Sequence, residues 1–165
     1  MINQEKTACF TGHRRIPKEH LEALPSLLDR VLPCLIEAGV NTFLCGGALG
    51  FDTIAAEAVL RQRASGAPVR LVLVLPCRNQ TRGWSAQAVA LYERILANAD
   101  EVIYTAEQYF SGCMHVRNRY LVEHAAVCVA YLTDTKGGTF YTVSLAKDKE
   151  REILNLACAF GYPDP

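Results

Sequence analysis

Short, nearly continuous apolar runs alternate along this chain with longer segments whose apolar residues recur every three to four positions. "TACFT" (7–11), "NTFLC" (41–45), "VRLVLVLP" (69–76), "EVIYT" (101–105) and "AVCVAYL" (126–132) are the apolar runs, and their length and β-branched content predict strands. Between the first two, Leu21, Leu24, Leu28, Val31, Leu32 and Leu35 keep helical spacing up to a stop at Gly39. Pro25 and Pro33 interrupt that segment, so the helix is expected either to start late at Pro25 or to kink at Pro33. "GFDTIAAEAVLRQRASG" predicts a second helix. A third carries Trp84, Ala88, Leu91, Tyr92 and Ile95 on one face. "MHVRNRYLVEHA" and "TFYTVSLAKDK" predict two more helices, separated from the strands before them by the loops "AEQYFSGC" and "TDTKGG". For "REILNLA" (151–157) the period does not separate strand from helix.

Strands alternating with helices imply βαβ units and a parallel sheet, and near-continuous apolar strands imply a sheet covered on both faces. The expected fold is α/β: a Rossmann-like, doubly wound, mainly parallel sheet flanked by helices. No linker, repeat or low-complexity tract divides the chain, so residues 1–165 are expected to form one domain with a core at about 7–157. In such sheets ligands bind beyond the carboxyl ends of the strands. The residues just after each strand are therefore the ones to read for chemistry.

Composition narrows the function. Of 165 residues half are hydrophobic, and 17 Lys+Arg balance 17 Asp+Glu. A neutral chain lacks the overall charge for coating nucleic acid, so DNA is not expected as a partner; a small anion in a local basic pocket is compatible with neutrality. Seven cysteines, an odd number without C-x-x-C, fit free thiols in a reducing compartment. The sequence shows neither a signal-peptide pattern nor an apolar run of membrane-spanning length, so a cytoplasmic location is expected, with no membrane partner. Cys77, Cys113, His13 and His115 match no common zinc spacing, and no metal or other cofactor is expected.

The first strand runs into Thr11, Gly12, His13, Arg14 and Arg15, an unusually basic turn. The second runs into "GGALGFD", with Gly46, Gly47, Ala48, Gly50 and Asp52. The third ends at Pro76, and the fifth leads to Gly137, Gly138 and Thr139. Two Gly-rich turns opening helices are candidate phosphate or carboxylate cradles, because free N–H groups and the helix dipole favour anions there. Neither matches G-x-G-x-x-G or a Walker A loop. Backbone N–H groups at 46–50 and 137–139 are expected to hold phosphate, with Arg14, Arg117 and Asn118 around it and Arg15 solvated. Asp52 has two readings. An acid in a first helical turn gains about 0.3–1 kcal/mol from the dipole, and a carboxylate at a ligand edge accepts a sugar hydroxyl. Asp52 and Arg117 are also the candidate catalytic residues. Core packing is expected for Trp84. Tyr109 and Phe110 lie in a loop and stay open between base stacking and solvent.

Taken together, "TGHR", "GGALGFDTIAAE", "LPCRNQTRGW", "MHVRNRYLV" and "GGTFYT" resemble the YpsA-like branch of the SLOG superfamily, in order and from about Thr7 to Ala157. The resemblance implies a Rossmann-like domain that binds a nucleotide or nucleotide-derived ligand. A homo-oligomer is compatible with it. LOG-type phosphoribohydrolases, which are related, imply an alternative activity, cleavage of the N-glycosidic bond of nucleoside monophosphates. By that likeness Met114, His115 and Arg117 match and Asn118 replaces a lysine. Gly137, Gly138 and Thr139 match as well, while the acid expected three places after the threonine is Thr142. Glycosidic cleavage needs a carboxylate, for which Asp52 or Glu57 would have to serve. DNA-processing protein A, whose Gly-rich turn is similar to "GGALGFD", implies a third function, single-stranded DNA binding.

Overall fold

A computed structural model describes residues 1–165. Six strands, β1 (Thr7–Gly12), β2 (Thr42–Cys45), β3 (Arg70–Leu75), β4 (Glu101–Tyr104), β5 (Val127–Tyr131) and β6 (Glu152–Asn155), form one sheet in the order β4-β3-β2-β1-β5-β6. Every neighbouring pair is parallel. The order runs one way from β1 to β4 and the other way from β5 to β6. The strand order therefore reverses between β1 and β5, where the crossovers diverge and a crevice opens at the carboxyl ends.

Alternation along the strands divides the core in two. Phe10, Phe43, Leu71, Leu73, Leu75 and Val129 face one side, covered by α1 (Lys18–Glu37), α2 (Phe51–Ala64) and α3 (Ala86–Asn98). Cys9, Leu44, Val72, Val74 and Cys128 face the other, covered by α4 (Cys113–Glu123) and α5 (Gly138–Asp148). Both faces are buried, which is why the strands read as unbroken apolar runs.

Helix α1 is continuous from Lys18 through both prolines, so the late start at Pro25 does not occur. Leu24, Leu28, Leu32 and Leu35 form a fully apolar stripe against the core. The two carbonyls deprived of donors, those of Leu21 and Asp29, belong to exposed residues on the solvent side of the helix. Trp84 departs from expectation too. It precedes α3, whose N-cap is Ser85, and stands half-buried and edge-on to Tyr92 with ring centroids 5.6 Å apart. The ambiguous 151–157 segment splits into β6 and a 3₁₀ turn, Leu156–Phe160.

Side chains at the switch point brace the β5–α5 loop. Asn155 donates to the Leu132 carbonyl (3.1 Å) and accepts from the Leu132 N–H (2.9 Å). His13 Nε2 accepts from the Thr133 N–H at 3.0 Å. The first residues of the β5–α5 loop are thus tied to the ends of both β1 and β6.

Candidate functional site

A cleft of about 320 Å³ lies over the β1/β5 switch point. Ten of the residues expected at the site line it: Thr11, Gly12, His13, Arg14, Ala48, Asp52, Arg117, Asn118, Gly138 and Thr139. Phe10, Met114 and Leu121 complete the lining. Gly46, Gly47, Gly50, Gly137 and Pro76 do not line it. Pro76 is buried beneath the β3–α3 loop, because β3 lies two strands away from the switch point.

The basic turn after β1 separates into three different roles. His13 accepts a hydrogen bond through Nε2, so that nitrogen carries no proton, and burial lowers the pKa of the ring. His13 is a neutral brace rather than a cation facing an anion. Arg14 is exposed, lines the cleft and has no carboxylate partner. Arg15 is exposed and lies outside the cleft lining. Gly12 is small for the sake of the core: a Cβ there would overlap the ring of buried Phe51.

The "GGALG" turn is closed by the protein itself. Asp52 Oδ2 accepts the Ala48 N–H at 3.1 Å, so a side-chain carboxylate occupies the donor that an anion would need. Arg117, only 5% exposed, donates from Nη1 to the Gly46 carbonyl and from Nε to Asn118 Oδ1 at 2.7 Å. Gln80 Nε2 donates to the Gly47 carbonyl at 3.0 Å. Above Gly46 the Arg117 guanidinium and the Asp52 carboxylate crowd into the space a Cβ would fill. Burial pushes the Asp52 carboxyl up from its ordinary value, opposed by Arg117, the Ala48 N–H and Arg14. Burial likewise pulls Arg117 down, opposed by Asp52. Arg117 is therefore neither a solvated helix residue, as its neighbour Arg119 is, nor a free anion clamp. It is a buried charge holding the second strand's turn to α4.

The turn before α5 is open by contrast. Gly137 caps the helix at φ 91° with no side-chain hydrogen bond. The Thr139 hydroxyl has no partner in the protein, and Thr142 bonds backward to the Gly138 carbonyl at 2.8 Å. Asn118, its Oδ1 occupied by Arg117, turns Nδ2 toward Gly138. Helix N–H groups, a hydroxyl, an amide and the Arg14 guanidinium thus line one concavity, a donor set suited to an anion.

Asp52 is the single carboxylate in the lining. Glu57, the other candidate acid, pairs with Arg94 on the outer surface of α2 and α3 and takes no part in the cleft. The neutral total charge also conceals a local bias. The loops beyond β1–β5 hold Arg14, Arg15, Arg78, Arg82 and Lys136 against Glu107 and Asp134. Only Arg78 among these is tied to an acid, Glu107, at 2.7 Å. Tyr109 (64% exposed) and Phe110 (46%) stand in the same set of loops, while no helix is long and apolar enough to cross a membrane.

Comparison with known proteins agrees with this architecture. The profile of the YspA SLOG family matches residues 12–158. A UPF0398 protein of Halalkalibacterium halodurans is 31% identical over 127 residues, 75% of this chain and 67% of that one. Among solved structures, DNA processing protein A of Helicobacter pylori, described in a single-stranded DNA binding mode, superposes with a TM-score of 0.63 at 20% identity. That match covers 91% of this chain and 64% of the other. DNA processing protein A of Streptococcus pneumoniae gives 0.66 at 18%, covering 91% of this chain and 49% of its own. These likenesses establish a shared fold, and the chain spans about half to two thirds of those two structures.

Proposed function

The chain belongs to the YspA SLOG family, and on that footing we propose that its switch-point cleft binds a nucleotide or nucleotide-derived phosphate ligand. The observation that carries this is the open N-terminus of α5 facing Arg14. There the Gly138 and Thr139 N–H groups, the Thr139 hydroxyl and the Asn118 amide lack protein acceptors. The phosphate sits on these donors, and Arg14 neutralises it. The ribose lies toward Asp52, whose Oδ1 is free to accept a hydroxyl while Oδ2 holds Ala48. In this role residues 1–165 act as one domain in the cytoplasm, with a small molecule as partner.

Calorimetric titration with nucleoside monophosphates, NAD, ADP-ribose and cyclic dinucleotides tests the proposal. Binding of at least one, lost in Arg14→Ala, is the expected result. Folded protein that binds none of them overturns it.

A second reading is favoured by Asp52 alone. A partly desolvated carboxylate with a raised pKa in a phosphate cleft is the group an N-glycosidase needs beside the sugar. Release of free base from a nucleoside monophosphate, abolished in Asp52→Asn, would establish it. Single-stranded DNA binding draws support from the exposed arginines and aromatics of the same edge and from the fold shared with DNA processing protein A. Its signature is a gel shift that weakens steeply with salt.

A further inference from the structure

Beside the cleft lies a second chamber of about 260 Å³, and the two share Arg14 and Met114. Gln80, Arg82, Trp84 and Tyr109 supply its other chemistry. Gln80 lies in the loop between β3 and α3 and is 7% exposed. Its Nε2 donates to the Gly47 carbonyl at 3.0 Å and reaches the Gly46 carbonyl at 3.4 Å. Those two carbonyls fix the amide's orientation, since the reversed amide would set oxygen against oxygen. Gln80 Oε1 is left enclosed with no partner. Throughout the protein it is the one buried side-chain oxygen or nitrogen in that condition.

Buried acceptors are paired in folded proteins because leaving one unpaired costs its desolvation. An exception at a residue that lines a chamber marks a place where a ligand donor completes the bond. The chamber also offers the half-buried indole of Trp84 and the exposed ring of Tyr109, both suited to the face of a flat heterocycle. Arg14 stands at the junction with the phosphate cleft, so one molecule can place its anion on α5 and its ring against Trp84.

We infer that this chamber is the base subsite of the nucleotide, and that Gln80 Oε1 accepts a hydrogen bond from an N–H of the base. The inference rests on the phosphate-binding role given above for the adjoining cleft. The subsite takes a nucleobase rather than a bare sugar phosphate, because only the base brings a planar face together with an N–H donor. With Nε2 committed to two carbonyls, Gln80 reads a donor and cannot read an acceptor.

Two measurements test this. Ribose 5-phosphate and the four ribonucleoside 5′-monophosphates are titrated against the parent chain and Gln80→Met. At least one monophosphate is expected to bind about tenfold or more tightly than ribose 5-phosphate, and Gln80→Met to erase most of that advantage while leaving ribose 5-phosphate unchanged. Trp84 is the sole tryptophan, so the parent's intrinsic emission reports on the chamber without any substitution. Saturating monophosphate is expected to quench it and saturating ribose 5-phosphate to leave it unaltered. Equal affinity for ribose 5-phosphate and every monophosphate overturns the inference while leaving the phosphate site standing. So does unaltered emission on saturation with a monophosphate, or a base advantage that survives Gln80→Met. Absence of binding by any of the five probes overturns the phosphate site and the inference together.

Discussion

The two Gly-rich turns of this protein look alike in sequence and do opposite work. "GGALG" after β2 is filled from within: Asp52 takes the Ala48 N–H, Arg117 and Gln80 take the carbonyls, and the backbone of Arg14 presses on Gly50. "GGT" at the start of α5 leaves its donors facing the cleft. The difference comes from position. The turn after β2 is held by Arg117 of α4, whereas α5 begins beside the point where the strand order reverses and its Gly138 and Thr139 line the cleft. A glycine-rich turn signals close approach; what approaches is set by the neighbours, here a buried guanidinium in one case and open space in the other.

The sharpest way to break this contrast is to add a methyl group to each turn. In Gly50→Ala the new Cβ overlaps the Arg14 carbonyl, at φ 79°. Backbone against backbone cannot relax cheaply, and a loss of about 4 kcal/mol or more is expected in urea unfolding. In Gly137→Ala nothing lies within 4 Å of the new Cβ. Only the backbone conformation is strained there, at about 1–3 kcal/mol. Equal losses would erase the distinction between the turns.

Arg117→Met comes next. It strands the Asp52 carboxylate and the Gly46 carbonyl in a buried setting and is expected to cost about 3 kcal/mol. An unchanged melting temperature would show that the first turn is not held by this charge.

Substitutions of the cleft groups around the open turn should move binding instead of stability. Arg14→Ala is expected to weaken a phosphate ligand about tenfold, and Thr139→Val by less, while unfolding stays within about 0.5 kcal/mol of the parent. Destabilisation without loss of affinity would reverse the roles assigned to the two turns.

The smallest effects are titrations. Burial raises the pKa of Asp52, so the parent's stability falls as pH rises from the ordinary carboxylate value of 3.8 toward the raised one. Asp52→Asn is therefore expected to gain relative to the parent across that window. Burial lowers the pKa of His13, so its contribution is present above the ordinary value of 6.5 and is lost as pH falls toward the lowered one. His13→Asn should flatten that part of the stability curve. Parallel curves for parent and variant in either window would show that the group titrates as it does in the unfolded chain.

The fold was largely legible because a doubly buried parallel sheet writes itself as apolar runs. All five clear strands lie within a residue or two of where those runs place them. Pro25 misled as a helix start, since a fully apolar stripe and solvent-side carbonyls outweigh two missing bonds. Trp84 misled through helical spacing that continues past the true N-cap at Ser85. Within the site, ten expected residues do line the cleft, yet Gln80 carried no signal in the sequence. A glutamine in a polar loop looks solvated until the fold buries it and occupies one end of its amide.

By itself, then, the sequence determined the sheet, its two covered faces and the edge at which chemistry collects, because burial periodicity and turn residues are local properties. Only the tertiary structure decided which donors are free. Whether an N–H or a guanidinium is spent on the protein depends on groups far away in the chain. Arg117 meets Gly46 across 71 positions, and His13 meets Thr133 across 120. Of three adjacent basic residues after the first strand, the fold made one a neutral brace, left one in solvent, and turned Arg14 toward the cleft.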